Sequence, residues 1–71
     1  MTLKDEVRTL VSEHADVGAD EDRLEVDSLT LVTIIEALEE RFDVRVAPRD
    51  AVPENFASVA AITRFLEAKR P

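Results

Sequence analysis

Apolar residues recur along this chain at helical spacing in three separate stretches. The first stretch, roughly Thr2 to Ala15, places five side chains on one face: Leu3, Val7, Leu10, Val11 and His14. Thr2 and Asp5 have the spacing of a reciprocal helix cap, and an acid in the first turn suits the positive end of a helix. The pattern therefore predicts a first helix over this stretch.

The second stretch predicts a helix from about Ser28 to Phe42. Its inward stripe consists of Leu31, Ile34, Ile35, Leu38 and Phe42. Leu29 and Val32 lie beside that stripe near the helix start, while the carboxylates of Glu36, Glu39, Glu40 and Asp43 project elsewhere. A mixed apolar and acidic surface of this kind suits docking. Ordinary burial of Leu29 and Val32 in the core is the alternative interpretation.

The third stretch predicts a helix that Ser58 caps and that runs to about Lys69, with Val59, Ile62, Phe65 and Leu66 facing inward. Between the second and third helices, Val44–Val46 alternates like a strand but has no partner, so it is expected to return the chain across the bundle. A short helical turn is predicted near Pro53 to Phe56. The fold class is all-α: a small four-helix bundle, three helices longer and one short, forming a single domain over residues 1–71.

Composition and charge exclude several classes of function. The 71 residues include no cysteine and a single histidine, which excludes disulfides and thiolate or histidine metal sites, and the acidic loop after the first helix lacks the spacing of a calcium loop. The formal net charge of −7 disfavours nucleic acid and anionic membranes and favours basic protein partners. No apolar run could span a membrane and no signal peptide is recognisable, so a cytoplasmic protein is expected.

Ser28 is the residue that points most directly to a function. It stands in the run Asp27-Ser28-Leu29, where an acidic loop gives way to an amphipathic helix. A serine there is either a helix cap or a covalent attachment point, and a helix start also favours an attached phosphate. Nucleophilic catalysis would need an oriented base, and His14 has no obvious orienting group. We therefore expect no catalytic residues and no enzyme.

The combination of these features resembles the acyl carrier protein and peptidyl carrier protein family. The resemblance rests on Asp27-Ser28-Leu29, on the helix ending Leu38-Glu39-Glu40-Arg41-Phe42-Asp43, and on Ser58-Val59 with Ile62. It covers nearly the whole chain. The triplet alone occurs by chance in many proteins, but its place before an acidic amphipathic helix in a chain of this size is far more specific.

The resemblance implies a carrier with 4'-phosphopantetheine attached covalently to Ser28, hence a phosphoprotein, with Asp27 and Leu29 beside the attachment site. A phosphopantetheinyl transferase would install the group from coenzyme A, and an acyl or aminoacyl intermediate would then be held on it as a thioester. The family's recognition surface corresponds here to Asp27, Leu29, Val32, Glu36, Glu39 and Glu40. The implied partners are the transferase, a loading enzyme and a downstream synthase or transferase, with the carrier a monomer.

Three residues that depart from the usual family pattern favour one branch of the family. Glu25 stands where many members have glycine, and Thr30 and Thr33 stand where fatty-acid carriers usually have acids. These differences favour polyketide, non-ribosomal peptide or related specialised biosynthesis over primary fatty acid synthesis. The short chain favours a free-standing carrier. The alternative function is a cofactor-free helical adaptor in which Ser28 is only a helix cap.

Overall fold

Three α-helices form the body of the protein. The computed structural model describes residues 2–69, with α1 at Leu3–Ser12, α2 at Ser28–Phe42 and α3 at Val59–Lys69. Single 3-10 turns follow α2 at Pro48–Asp50 and Pro53–Asn55. Within residues 2–69 there is no strand, and no helix there is long and apolar enough to cross a membrane. The all-α prediction is confirmed, and the short fourth helix takes the form of the second 3-10 turn.

The core lies where the inward faces of the three helices meet. α1 packs against both α2 and α3. The side chains that are fully buried come from all three helices: Val7, Val11, Ile34, Leu38, Val59, Ile62 and Leu66. Phe56 is also buried in this core, with its ring centroid 5.2 Å from that of Phe65. The predicted stripes therefore face the core, since the other apolar residues of the α2 stripe also pack against it.

The first helix is shorter than predicted, and the prediction for His14 is wrong. The reciprocal cap is present, because the Asp5 amide donates to Thr2 Oγ1 and the Thr2 amide donates to Asp5 Oδ2, each at 3.2 Å. At the C-terminal end of α1, however, the helix narrows to a 3-10-type turn, because the His14 amide donates to the carbonyl of Val11 three residues back. This turn ends α1 at Ser12 and leaves His14 exposed instead of on the core face.

The predicted helical bounds of α2 are confirmed at both ends. Asp43 follows the helix with φ 53° and ψ 48°, the left-handed conformation that aspartate tolerates better than most residues. Residues 44–47 then carry the chain away without forming a strand. The first 3-10 turn was not predicted. It closes locally, with the Asp50 amide bonded to the Ala47 carbonyl at 2.8 Å.

The loop between α1 and α2 is bonded to α1 and to the start of α3. The carboxylate of Asp20 pairs with Arg8 at 2.9 Å and with Lys4 at 3.3 Å, both on α1. The carbonyl of Asp20 accepts from the Ala60 amide of α3 at 2.9 Å. Leu24 is buried, and its amide donates to the Ala57 carbonyl at 2.7 Å. The loop therefore delivers the start of α2 to a fixed place.

The two faces of α2 should differ sharply in their tolerance of truncation. Leu38→Ala removes a side chain that is 0% exposed and should lower the free energy of unfolding by about 2–5 kcal/mol. Leu29→Ala is the matched control, because Leu29 is on the same helix and 76% exposed, and it should change stability by less than about 0.5 kcal/mol. Urea denaturation measures both. Equal losses would show that the faces of α2 are misassigned.

Candidate functional site

Ser28 is the first residue of α2 and is exposed to solvent. The cap of this helix is Asp27, whose Oδ1 accepts from the Thr30 amide at 2.8 Å. Asp27 has the extended backbone typical of a capping residue, with φ −82° and ψ 175°. Within residues 2–69, the Ser28 hydroxyl makes no hydrogen bond. The interpretation of Ser28 as the cap is therefore wrong, because its neighbour already fills that role.

Asp27 carries a stable negative charge directly beside this hydroxyl. The hydrogen bond from the Thr30 backbone amide holds the pKa of Asp27 below its ordinary value of 3.8. The position also suits an anion, because the free amides and the dipole of a helix favour negative charge at its N-terminus. Asp27 uses the Thr30 amide, so the amides of Ser28 and Leu29 are the ones at this helix start that an added anion could meet.

Two grooves flank the start of α2. The larger, of about 480 Å³, lies towards the end of α1 and is bordered by His14, Asp16, Arg23, Glu25 and Asp27, among others. The smaller, of about 190 Å³, borders Ser28 itself and is lined by the charged residues Arg23 and Asp27 and by apolar residues that include Leu24, Leu31 and Phe56. The serine thus opens onto a groove that offers both apolar and charged contacts.

The exposed face of α2 continues from this site down the helix. Leu29 and Val32 are the large apolar side chains most exposed among the described residues, at 76% and 50%. Glu36 and Glu40 follow at helical spacing on the same side and are also exposed. The interpretation of Leu29 and Val32 as core residues is therefore wrong. Of the six residues predicted to meet partners, Leu29, Val32, Glu36 and Glu40 form one continuous strip, and Asp27 is exposed at the start of the helix.

Glu39, the remaining residue of that predicted set, is bonded to the protein's own backbone. Its Oε2 accepts from the Val46 amide at 2.8 Å, and the residue is only partly exposed. This bond holds the segment that leaves α2 against the helix. Sequence reasoning missed it because the contact depends on how the chain turns at Asp43.

Sequence reasoning also missed Arg23, which borders both grooves. A signal was available, since Arg23 is the only lysine or arginine between Arg8 and Arg41 in a strongly acidic stretch. Within residues 2–69, no cluster of three or more histidine or acidic side chains is placed to hold a metal ion.

Comparisons with known proteins identify the kind of site. The family model for the phosphopantetheine attachment site matches residues 3–66. The chain belongs to this family. It is 33% identical over 73 residues to the 4-methyl-3-hydroxyanthranilic acid carrier protein of Streptomyces anulatus, covering 96% of this chain and 94% of that protein. It is 28% identical over 78 residues to an acyl carrier protein of Wolinella succinogenes, covering 99% and 100%. No solved structure gives a significant match.

Membership of this family sets the cofactor and the general role. The group carried covalently is 4'-phosphopantetheine, and the role is that of an acyl carrier that works with loading and synthase enzymes. The geometry at the start of α2 fits this group, because an exposed hydroxyl stands at a helix N-terminus beside a groove that could receive the first part of a flexible arm.

The cap at Asp27 should make stability depend on pH. A carboxyl whose pKa is lower in the folded than in the unfolded chain contributes stability above its unfolded pKa, and that contribution is lost as the pH falls through the folded value. The wild type should therefore be more stable than Asp27→Asn at neutral pH. The difference should shrink as the pH falls below about 3.8.

Urea denaturation across this pH range measures the difference. Asp5 and Asp50 also have lowered pKa values, but both are present in the two proteins, so their contributions cancel. A difference between wild type and variant that stays constant with pH would show that the charge on Asp27 contributes nothing to the cap.

Proposed function

We propose that Ser28 Oγ is the atom to which 4'-phosphopantetheine is attached, and that residues 1–71 act as one carrier domain. The observation that carries this proposal is the placement of an exposed, unbonded hydroxyl at the first position of α2, with the cap supplied by Asp27. A modifying enzyme can approach that oxygen without unfolding the helix. The cofactor-free adaptor is disfavoured, because capping does not account for the serine.

The chain's part in the chemistry is to present this oxygen and hold it still. When bound, the arm supplies a terminal thiol on which an acyl or aminoacyl cargo is held as a thioester. At the groove that Ser28 borders, the neighbouring ionisable groups are Arg23 and Asp27, and the Asp27 carboxylate is already engaged with the Thr30 amide. His14 borders the larger groove, which Ser28 does not line. We propose that the transferase removes the proton of Ser28 and that the carrier itself is not an enzyme.

We assign partner docking to the exposed strip of α2. Leu29 and Val32 supply a small apolar contact next to the serine, and Glu36 and Glu40 supply charge around it. Asp27 extends the acidic rim at the helix start. The net charge of −7 would draw basic partner surfaces to this face and speed encounter. Since steering raises association rates more than it slows release, a carrier can still leave each enzyme quickly.

The family branch is proposed on the composition of this same face. Thr30 and Thr33 leave the first turns of α2 uncharged, so the acidic residues lie further from the serine. One relative carries, by its name, an aromatic acid. Both points favour specialised biosynthesis, such as polyketide or non-ribosomal peptide assembly. We place this work in the cytoplasm, with the transferase, a loading enzyme and a downstream synthase as successive partners of a monomer.

Covalent loading tests the proposed attachment atom. The purified protein is incubated with coenzyme A and a broad-specificity phosphopantetheinyl transferase, and its intact mass is measured. The wild type should gain the mass of one phosphopantetheinyl group, and Ser28→Ala should gain none. Ser12→Ala is the matched control, since Ser12 is an exposed serine on α1 and its loss should leave loading unchanged. If Ser28→Ala were still modified, Ser28 Oγ would not be the attachment atom.

Charge reversal tests the proposed docking strip. Glu36→Lys and Glu40→Lys should each lower kcat/KM for loading by the transferase by on the order of tenfold at low salt, because steering is lost. The effect should fade as ionic strength rises. Glu67→Lys changes charge equally on the exposed side of α3 and should have little effect. Equal effects at all three positions would mean that only net charge matters.

Glu39 differs from Glu36 and Glu40 because its carboxylate accepts a hydrogen bond from the Val46 amide. Glu39→Gln keeps an oxygen for the Val46 amide and should leave both fold and loading nearly unchanged. Glu39→Lys should instead lower the thermal midpoint, since the Val46 amide loses its acceptor. If Glu39→Lys lost loading while its thermal midpoint stayed unchanged, Glu39 would belong to the docking surface after all.

A further inference from the structure

Arg23 lines the groove that Ser28 borders. The next residue, Leu24, is buried, and its amide is bonded to the Ala57 carbonyl at 2.7 Å. The backbone at Arg23 is therefore fixed against the start of the α3 region, while its own side chain is exposed. This arginine also borders the larger groove on the other side of Asp27. It thus stands beside the helix start from which a group on Ser28 would extend.

Among residues 2–69, the guanidinium of Arg23 has acidic neighbours but no ion-pair partner. Asp16, Glu25 and Asp27 border the larger groove with it. No ion pair within 4 Å joins Arg23 to another described residue, whereas Arg8 and Lys4 are both paired with Asp20. Asp27 is already engaged with the Thr30 amide. Arg23 is therefore a cation that remains available for an anion in the groove.

We propose that Arg23 is a positioning residue that pairs with the phosphodiester formed on Ser28, which rests on Ser28 being the attachment atom. A phosphodiester there brings one negative charge next to the ionised Asp27. The two anions repel, and the helix N-terminus offsets only part of that repulsion. A guanidinium presents two parallel donors to phosphate oxygens, so Arg23 can neutralise the new charge and also fix its direction.

Pairing of this kind would orient the start of the arm. The smaller groove is lined by Arg23 and by the apolar residues Leu24, Leu31 and Phe56. A phosphodiester paired with Arg23 would direct the start of the arm along these apolar residues and so restrict the directions open to it. The arm's far end would remain mobile, as delivery to several enzymes requires.

The test compares apo and loaded protein without cargo, so the phosphodiester is the only new anion. In ¹H–¹⁵N spectra of the wild type, the Arg23 Nε–H resonance should shift downfield on loading. The corresponding resonance of Arg64, an exposed arginine on α3 that does not border the Ser28 groove, should not move. The Arg23 shift should diminish in about 1 M salt, where charges are screened within about 3 Å.

Variants provide a second measurement. The change in thermal midpoint on loading should be less favourable for Arg23→Gln than for the wild type, partly restored in Arg23→Lys, and unchanged in Arg64→Gln. An unmoved Arg23 resonance in fully loaded wild type, with equal midpoint changes in Arg23→Gln and wild type, would overturn the pairing. That result differs from failure of the proposed attachment, in which intact mass would show no loading at all.

Discussion

The site depends on the contacts that hold the loop between α1 and α2 against α1 and α3. Asp20 joins Arg8 of α1 through its carboxylate and Ala60 of α3 through its carbonyl, and Leu24 inserts into the core four residues before Ser28. Each surface ion pair alone contributes little. Together with the buried leucine, these contacts fix both the entry angle of α2 and the position of the arginine next to Leu24. An exposed serine at a precise place is thus obtained from contacts that are remote from it.

The second helix serves two purposes because its faces are separate. Ile34 and Leu38 are fully buried and belong to the core, while Leu29 and Val32 on the other side are exposed. A small domain has few core residues to spare, so this separation matters. Residues on the exposed strip can vary to suit partners without loss of packing. The cap at Asp27 likewise leaves the hydroxyl of the adjacent Ser28 without a structural role at the start of the helix.

The sequence predicts those features whose causes are local. The bounds of α2 follow from Asp27 at its start and from the turn at Asp43, and Ser58 caps α3 through the Ala61 amide as expected. The end of α1 was misjudged because periodicity continued to His14 after the backbone hydrogen bonds had changed. The Glu39 contact with Val46 and the placement of Arg23 depend on how distant segments meet, which residue spacing does not specify.

A cation beside Ser28 has a consequence for how partners distinguish the forms of a carrier. If partners are basic where they meet the acidic strip of α2, as proposed, the share of the Arg23 charge that Asp16, Glu25 and Asp27 leave unbalanced would repel them locally. Pairing with a phosphodiester removes that repulsion, because the guanidinium charge is then balanced within the carrier. A basic enzyme acting on the arm would therefore favour the loaded form by local electrostatics, without a change of fold. The transferase, which must bind the unloaded form, would gain instead from an anionic substrate group that meets Arg23 during the reaction.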